Sequence, residues 1–428
     1  MSGAAVWAGA ALRAGLAVLL VVAAPASAAA QMLLVPMDRS QDDHLRAYGL
    51  VYEAIAAGAR AEWLLNYRDG SFLLPGQRRF RDRAALLGVT VEPVDGGALA
   101  RLRTEMAAGN RETVPLETAP RIAVYTPPNA SPWDDAVTLA LEYAGIPYET
   151  VWDPEVLRGR LAEYDWLHLH HEDFTGQYSR FPLSYAGAAW LAEEIGRNEE
   201  TAAEFGFPTV PALKKAVARE IRAYVQGGGL LFAMCTATET LDLALAAEQT
   251  DIAASYADGS PAAPDAAARM LWDRTLAFRD AELALAPTST SFSDIDGHQV
   301  NTPRRLPLGS FELFPFSAPI DPVPAMLTQS HEQVLPDFYG LTTSFRPERL
   351  RPGVTVLARD PETGLVKYLH GGLGSGSFTF LGGHDPEDPQ HLVGDPPTDL
   401  ALERNSAGYR LILNNVLYPA ARRKALKT

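Results

Sequence analysis

Short apolar runs separated by stretches of helical spacing recur along the chain, and this alternation restricts it to an α/β architecture. The run Leu230-Leu231-Phe232-Ala233-Met234 has no polar alternation, so it reads as a strand buried on both faces, as in a parallel sheet covered by helices. A helix over 214–225 precedes it, closed by Gly227-Gly228-Gly229. Segments 121–126, 148–152 and 165–170 read as companion strands. Residues 133–144 form the helix after the first of these, with Gly145 and Pro147 as its stop. Strand patterns return at 355–358 and 365–369, and a glycine-rich hairpin at 371–376 leads into Phe378-Thr379-Phe380-Leu381. A closing helix over 408–420 completes a domain built from 120–249 and 351–428.

Upstream, 33–37, 61–65 and 89–94 read as strands and 43–57 and 78–87 as helices, giving an N-terminal α/β unit over 31–115. The polar stretch 109–120 reads as a linker. Residues 250–350, rich in Ala, Pro, Ser and Asp with weak periodicity, read as an insertion with some β structure.

Residues 1–30 carry one charge, Arg13, then an apolar run over 15–24, Pro25 and the small-x-small triplet Ala26-Ser27-Ala28. That run is too short for a spanning helix, which needs about 20 residues. It is expected to be a cleaved signal peptide, so the protein should be exported, periplasmic or extracellular, with no stable membrane anchor. A formal charge of −15 excludes a general nucleic-acid binder, because nothing in that balance offsets phosphate repulsion. A small-molecule substrate or ligand is the expected partner.

The single cysteine, Cys235, rules out an intramolecular disulfide. It lies where the buried strand gives way to a helix, the edge at which ligands gather in open α/β sheets. The helix N-terminus there would lower the thiol pKa, and the Thr236 N–H is placed to hold an oxyanion. His384 follows another predicted strand, with Asp385 and Glu387 close behind, so the two strand ends supply a nucleophile, a base and a candidate orienter. An inert core thiol is the competing reading. A second cluster, His168-Leu169-His170-His171-Glu172-Asp173, offers imidazoles and carboxylates suited to Zn or Mn, or else forms a polar loop that shapes a pocket. No cofactor is required by the cysteine chemistry.

These residues resemble the class I glutamine amidotransferase-like superfamily and its trehalose-utilisation-like relatives. The resemblance spans roughly 121–247 and 354–420 and implies a flavodoxin-like parallel sheet core. It implies Cys235 as nucleophile, His384 as general base, and Glu387 or Asp385 as orienter. Two departures stand out: alanine (Ala233, Ala237) flanks the cysteine where the family has glycine, and His384-Asp385-Pro386-Glu387 is one residue longer than the family's His-Pro-Glu. Segments 34–41, 62–68 and 405–419 are similar to a bacterial family commonly labelled asparagine synthetase B. The chain lacks the pyrophosphate loop and N-terminal cysteine of a true synthetase, so the label does not carry that activity. The expected function is therefore a Cys–His hydrolase of an amide or ester. The alternatives are a non-catalytic binder of a carbohydrate or other small molecule, and a His/carboxylate metal hydrolase.

Overall fold

The computed structural model describes Met1, Gly3, 32–128, 135–297, 305–307, 309–336, Phe338, Gly340, 342–388 and 396–422. The expected signal segment lies outside these residues, apart from Met1 and Gly3.

The N-terminal part comprises β1 (Met32–Val35), α1 (His44–Ala56), β2 (Ala61–Leu65), β3 (Ser71–Pro75), α2 (Arg78–Leu87), β4 (Glu92–Val94), α3 (Gly96–Met106) and β5 (Glu112–Leu116). Its strand order is β4-β1-β3-β2-β5, and every pairing is antiparallel. Parallel βαβ pairing, the reading of the sequence, fails here because the chain reverses directly after β2. Asn66, Arg68 and Asp69 adopt positive φ, and Gly70 and Ser71 donate their N–H groups to the Tyr67 carbonyl. That tight turn inserts β3 between β1 and β2. Arg68 fixes it with hydrogen bonds to Asp38 at 2.6 Å and to both Glu92 oxygens at 2.8 Å. The stretch read as a linker holds β5, an edge strand, where Pro115 can sit without an N–H to contribute to the ladder.

The second sheet has nine strands. Five of them, β6 (Ile122–Tyr125), β7 (Glu149–Val151), β8 (Trp166–Leu169), β9 (Leu230–Met234) and, late in the chain, β14 (Gly376–Leu381), form a parallel block. Segment 250–350 contributes β10 (Phe311–Leu313) and β11 (Val334–Leu335), which extend the opposite edge through β12 (Thr355–Arg359) and β13 (Val366–Leu373). The full order is β11-β10-β12-β13-β14-β9-β8-β6-β7. Helix α4 (Ala136–Ala144) carries the chain outward from β6 to β7, and β8 then returns on the other side of β6. The loops after β6 and β8 therefore diverge from a topological switch point, the usual ligand crevice of open α/β sheets.

One face of this sheet is covered by α1, α4 and the helix Ala407–Leu417, the other by Val210–Gly227 and Cys235–Ala246. The first face and the inner side of the N-terminal sheet share one apolar core, in which Val35, Trp63 and Phe72 join Val124, Trp166 and Phe232. The N-terminal unit is thus packed into the larger domain. Gly49 makes the close approach of α1 to α4 possible, since a Cβ there would lie 1.8 Å from the Ala144 carbonyl oxygen. Gly49→Ala should force the helices apart and cost about 3 kcal/mol, the upper range for overpacking. Urea denaturation checks this, and an unchanged midpoint would contradict it.

Candidate functional site

Three adjacent parallel strands, β14, β9 and β8, end on one edge of the sheet, and each delivers one of the segments singled out by the sequence. Cys235 follows β9 directly as the first residue of the helix Cys235–Ala246, with φ of +48°. The strain of the elbow falls on the cysteine itself, so Ala233 and Ala237 do not prevent the turn. Backbone bonds lace the neighbouring loops together: Cys235 N–H donates to the Gly383 carbonyl at 3.1 Å, and Ala237 N–H to the His170 carbonyl at 3.2 Å. Thr236, next in the helix, has an N–H in the first turn, where no intrahelical acceptor exists. Its hydroxyl lies 3.6 Å from Cys235 Sγ.

His384 faces the thiol. A Cβ built on Gly340 would stand 3.2 Å from both Cys235 Sγ and His384 Nε2, so these atoms lie within twice that distance of each other. Gly340 belongs to a covering segment secured by Lys367, which donates to the Phe338 and Thr343 carbonyls. Cys235 is only 1% exposed, while His384 is partly exposed beside it.

The orienter assignment needs correction. His384 Nδ1 accepts the Asp385 backbone N–H at 2.8 Å, which places the ring proton of the neutral imidazole on Nε2. The Asp385 carboxylate is engaged elsewhere: it accepts from the N–H groups of Glu387 and Asp388 and from the hydroxyls of Thr398 and Tyr409. Asp385 builds the turn after β14 and does not hold the imidazole. Glu387 lies in that same turn.

The histidine cluster joins this site. His170 stacks on His171 with centroids 3.7 Å apart, and both rings meet the His384 ring edge-on, at 6.0 and 5.5 Å. His168 and His170 converge on Asp135, with Nε2 and Nδ1 at 3.2 and 3.3 Å from its two oxygens. Burial opposes ionisation of Asp135, yet its contacts with His168 and His170 hold its carboxyl well below the usual range. Asp135, His168 and His170 form the group able to hold a metal ion among the described residues. Asp173 does not belong to it, because its oxygens accept from Thr175, Gln177 and Ser179 and cap the loop. Glu172 accepts the His170 N–H at 2.7 Å, and burial pushes its carboxyl up to about 7. The sequence reading missed Asp135, although an Asp just before an apolar helical run is a standard N-cap signal.

Beside His171 a cleft opens, lined by the aromatic rings of Trp152, Tyr178, Phe181 and Trp190. A cavity of about 570 Å³ at the opposite edge of the sheet, near Gly159 and Gly228, is lined by no cysteine or histidine.

Glu239, one turn beyond Cys235, has no counterpart in the sequence reading. Burial, with Asp296 adding to it, pushes its carboxyl up to about 8, while hydroxyls of Ser293 and Thr342 donate to it. A carboxyl raised in this way stabilises the fold fully below its ordinary value of 4.5, and the contribution is lost as pH rises through about 8. Glu239→Gln should match wild type near pH 4.5 and melt at higher temperature than wild type above pH 8. Equal melting temperatures across that range would contradict the assignment.

The fold and site define an α/β protein with a cysteine–histidine pair at the carboxyl edge of its sheet. No family model matches the chain, and no curated protein matches it. Among solved structures it is similar to a cytoplasmic protein from Salmonella typhimurium, at 11% identity and a TM-score of 0.34 over 71% of this chain and 100% of that one. A likeness at that level carries no functional argument.

Proposed function

We propose that this is an exported protein with a class I glutamine amidotransferase-like core, in which Cys235 is the nucleophile of a hydrolase acting on a small ester or amide. The observation that carries the reading is the Cys235 elbow, a positive-φ cysteine opening a helix with an imidazole beside it. The order β7-β6-β8-β9-β14 supports the core, because it is the 2-1-3-4-5 order of flavodoxin-like sheets. The apolar run over 15–24 supports export.

In this mechanism the Cys235 thiol releases its proton to solvent, because the helix N-terminus and the His384 Nε2–H both favour the thiolate. His384 acts as a hydrogen-bond donor in place of the general base expected from the sequence. The thiolate attacks the substrate carbonyl carbon, and the Thr236 N–H receives the developing oxyanion. Collapse of the tetrahedral adduct breaks the bond to the leaving group, which takes up a proton from solvent, and forms a thioester on Sγ. Water then attacks the thioester, releasing the acid and restoring the thiol. The Asp385 N–H at Nδ1 disfavours a second proton on the ring, so His384 is a weak acid for expelling an amine. Esters, whose leaving groups need less protonation, are the preferred substrates.

The aromatic cleft beside His171 favours a second reading, a ligand-binding protein without turnover. Incubation with p-nitrophenyl esters and the matching anilides separates the two. The hydrolase reading expects release of p-nitrophenol with an acyl adduct on Cys235 by mass spectrometry, both absent in Cys235→Ala. Turnover unaffected by that substitution would overturn it.

A further inference from the structure

We infer that Asp135, His168 and His170 bind a divalent transition-metal cation, zinc by preference, at the switch point between β6 and β8. His168 Nδ1 lies 3.1 Å from the Phe232 carbonyl, which can only accept, so Nδ1 carries a proton. The neutral ring then presents the Nε2 lone pair to Asp135 Oδ2 at 3.2 Å, acceptor against acceptor. With His168 fully buried and the Asp135 side chain 19% exposed, such a contact calls for a cation between the two atoms, either a second ring proton or a metal ion.

The geometry favours the metal. His170 Nδ1 is 3.3 Å from Asp135 Oδ1, and all three candidate ligand atoms lie within 4.8 Å of one another. Ligands about 2.0–2.1 Å from a tetrahedral zinc are roughly 3.3 Å apart, and each imidazole nitrogen lies at about that spacing from one of the two Asp135 oxygens, either of which could serve as the carboxylate ligand. The Phe232 carbonyl occupies the outer position that fixes the tautomer of a metal-bound imidazole. Two imidazoles and one carboxylate suit zinc better than magnesium or calcium. Three protein ligands leave a coordination position open, as in catalytic rather than structural zinc sites. Asp135 also accepts the N–H groups of Val137 and Thr138, which anchors the carboxylate at the start of α4. Cys235 is not among the ligands, so the inference stands apart from the hydrolase reading.

The full mature chain, dialysed against a chelator and then titrated calorimetrically with zinc chloride, tests it, with manganese chloride as comparison. One zinc per chain is expected, bound more tightly than manganese and unchanged in Cys235→Ala. Asp135→Asn keeps a good helix cap, so the fold should persist by circular dichroism. That variant and His168→Gln should each weaken zinc binding at least about tenfold. Absence of saturable binding to the folded wild type would overturn the proposal and leave a doubly protonated His168 against Asp135. Undiminished affinity in both ligand variants, or loss of binding in Cys235→Ala, would also overturn it.

Discussion

Replacing His384 by alanine should slow alkylation of Cys235 by iodoacetamide near neutral pH by roughly 10²-fold or more, the scale on which a positioned acid–base partner acts. The reason is local. The His384 Nε2–H lies near the buried Sγ, where a hydrogen bond to an anion is stronger than in water. Without the imidazole, only the helix N-terminus opposes the cost of burying a thiolate, and the thiol should titrate at or above its ordinary value of about 8.5. His384→Gln separates this from a packing effect. An amide can donate toward sulfur as the imidazole does, so it should restore part of the labelling rate at neutral pH and part of the ester turnover. Equal labelling rates in wild type and His384→Ala would mean that the two side chains do not cooperate.

Asp153→Ala should cost about 3–5 kcal/mol, the range for removing one partner of a buried ion pair. Asp153 is fully buried and accepts from Lys214 Nζ at 2.7 Å and from the Tyr125 hydroxyl. Lys214 packs over the Trp152 ring at 4.0 Å, and among the described residues its other hydrogen-bond contact is with the Tyr125 hydroxyl, at 3.3 Å. Removing the carboxylate strands an ammonium between β6 and the helix Val210–Gly227. Because Tyr125 ends β6, the disturbance should reach the switch point as well as lower stability. The double variant Asp153→Ala/Lys214→Met should recover most of the loss, since a buried ion pair exchanges for apolar packing at little net cost. Urea denaturation of the three proteins checks this, and a double variant no more stable than Asp153→Ala would contradict it.

How far the sequence foretold this arrangement depends on the range of the interactions involved. The β8, β9 and β14 strands were legible because each is a short apolar run bounded by turn residues, and their adjacency placed Cys235 and His384 on one edge. The N-terminal sheet was misread because strand order there is decided by one short turn over 66–70, in which three of the four positive-φ residues, Asn66, Arg68 and Asp69, are not glycine. The union of the histidine cluster with Cys235 was invisible, since nothing local says that β8 and β9 pair. Asp385 illustrates the opposite error. Its place beside His384 suggested an orienter, but its carboxylate is satisfied by Thr398 and Tyr409, which are remote in sequence. Gly340 and Glu239 carry no local signal at all, because their roles arise from segment 250–350 folding over the site.

The central claim is that Cys235 is held as a thiolate by its elbow and by His384. With a single cysteine in the chain, the absorbance of the thiolate near 240 nm, taken as the difference between wild type and Cys235→Ala across a pH titration, reports on it without requiring reagent access. The account predicts that the thiolate signal is present at neutral pH, with a midpoint well below the ordinary value of about 8.5, and that the midpoint rises in His384→Ala. A midpoint at or above that value in the native protein, unchanged by the His384 substitution, would identify Cys235 as an inert core thiol and contradict the account.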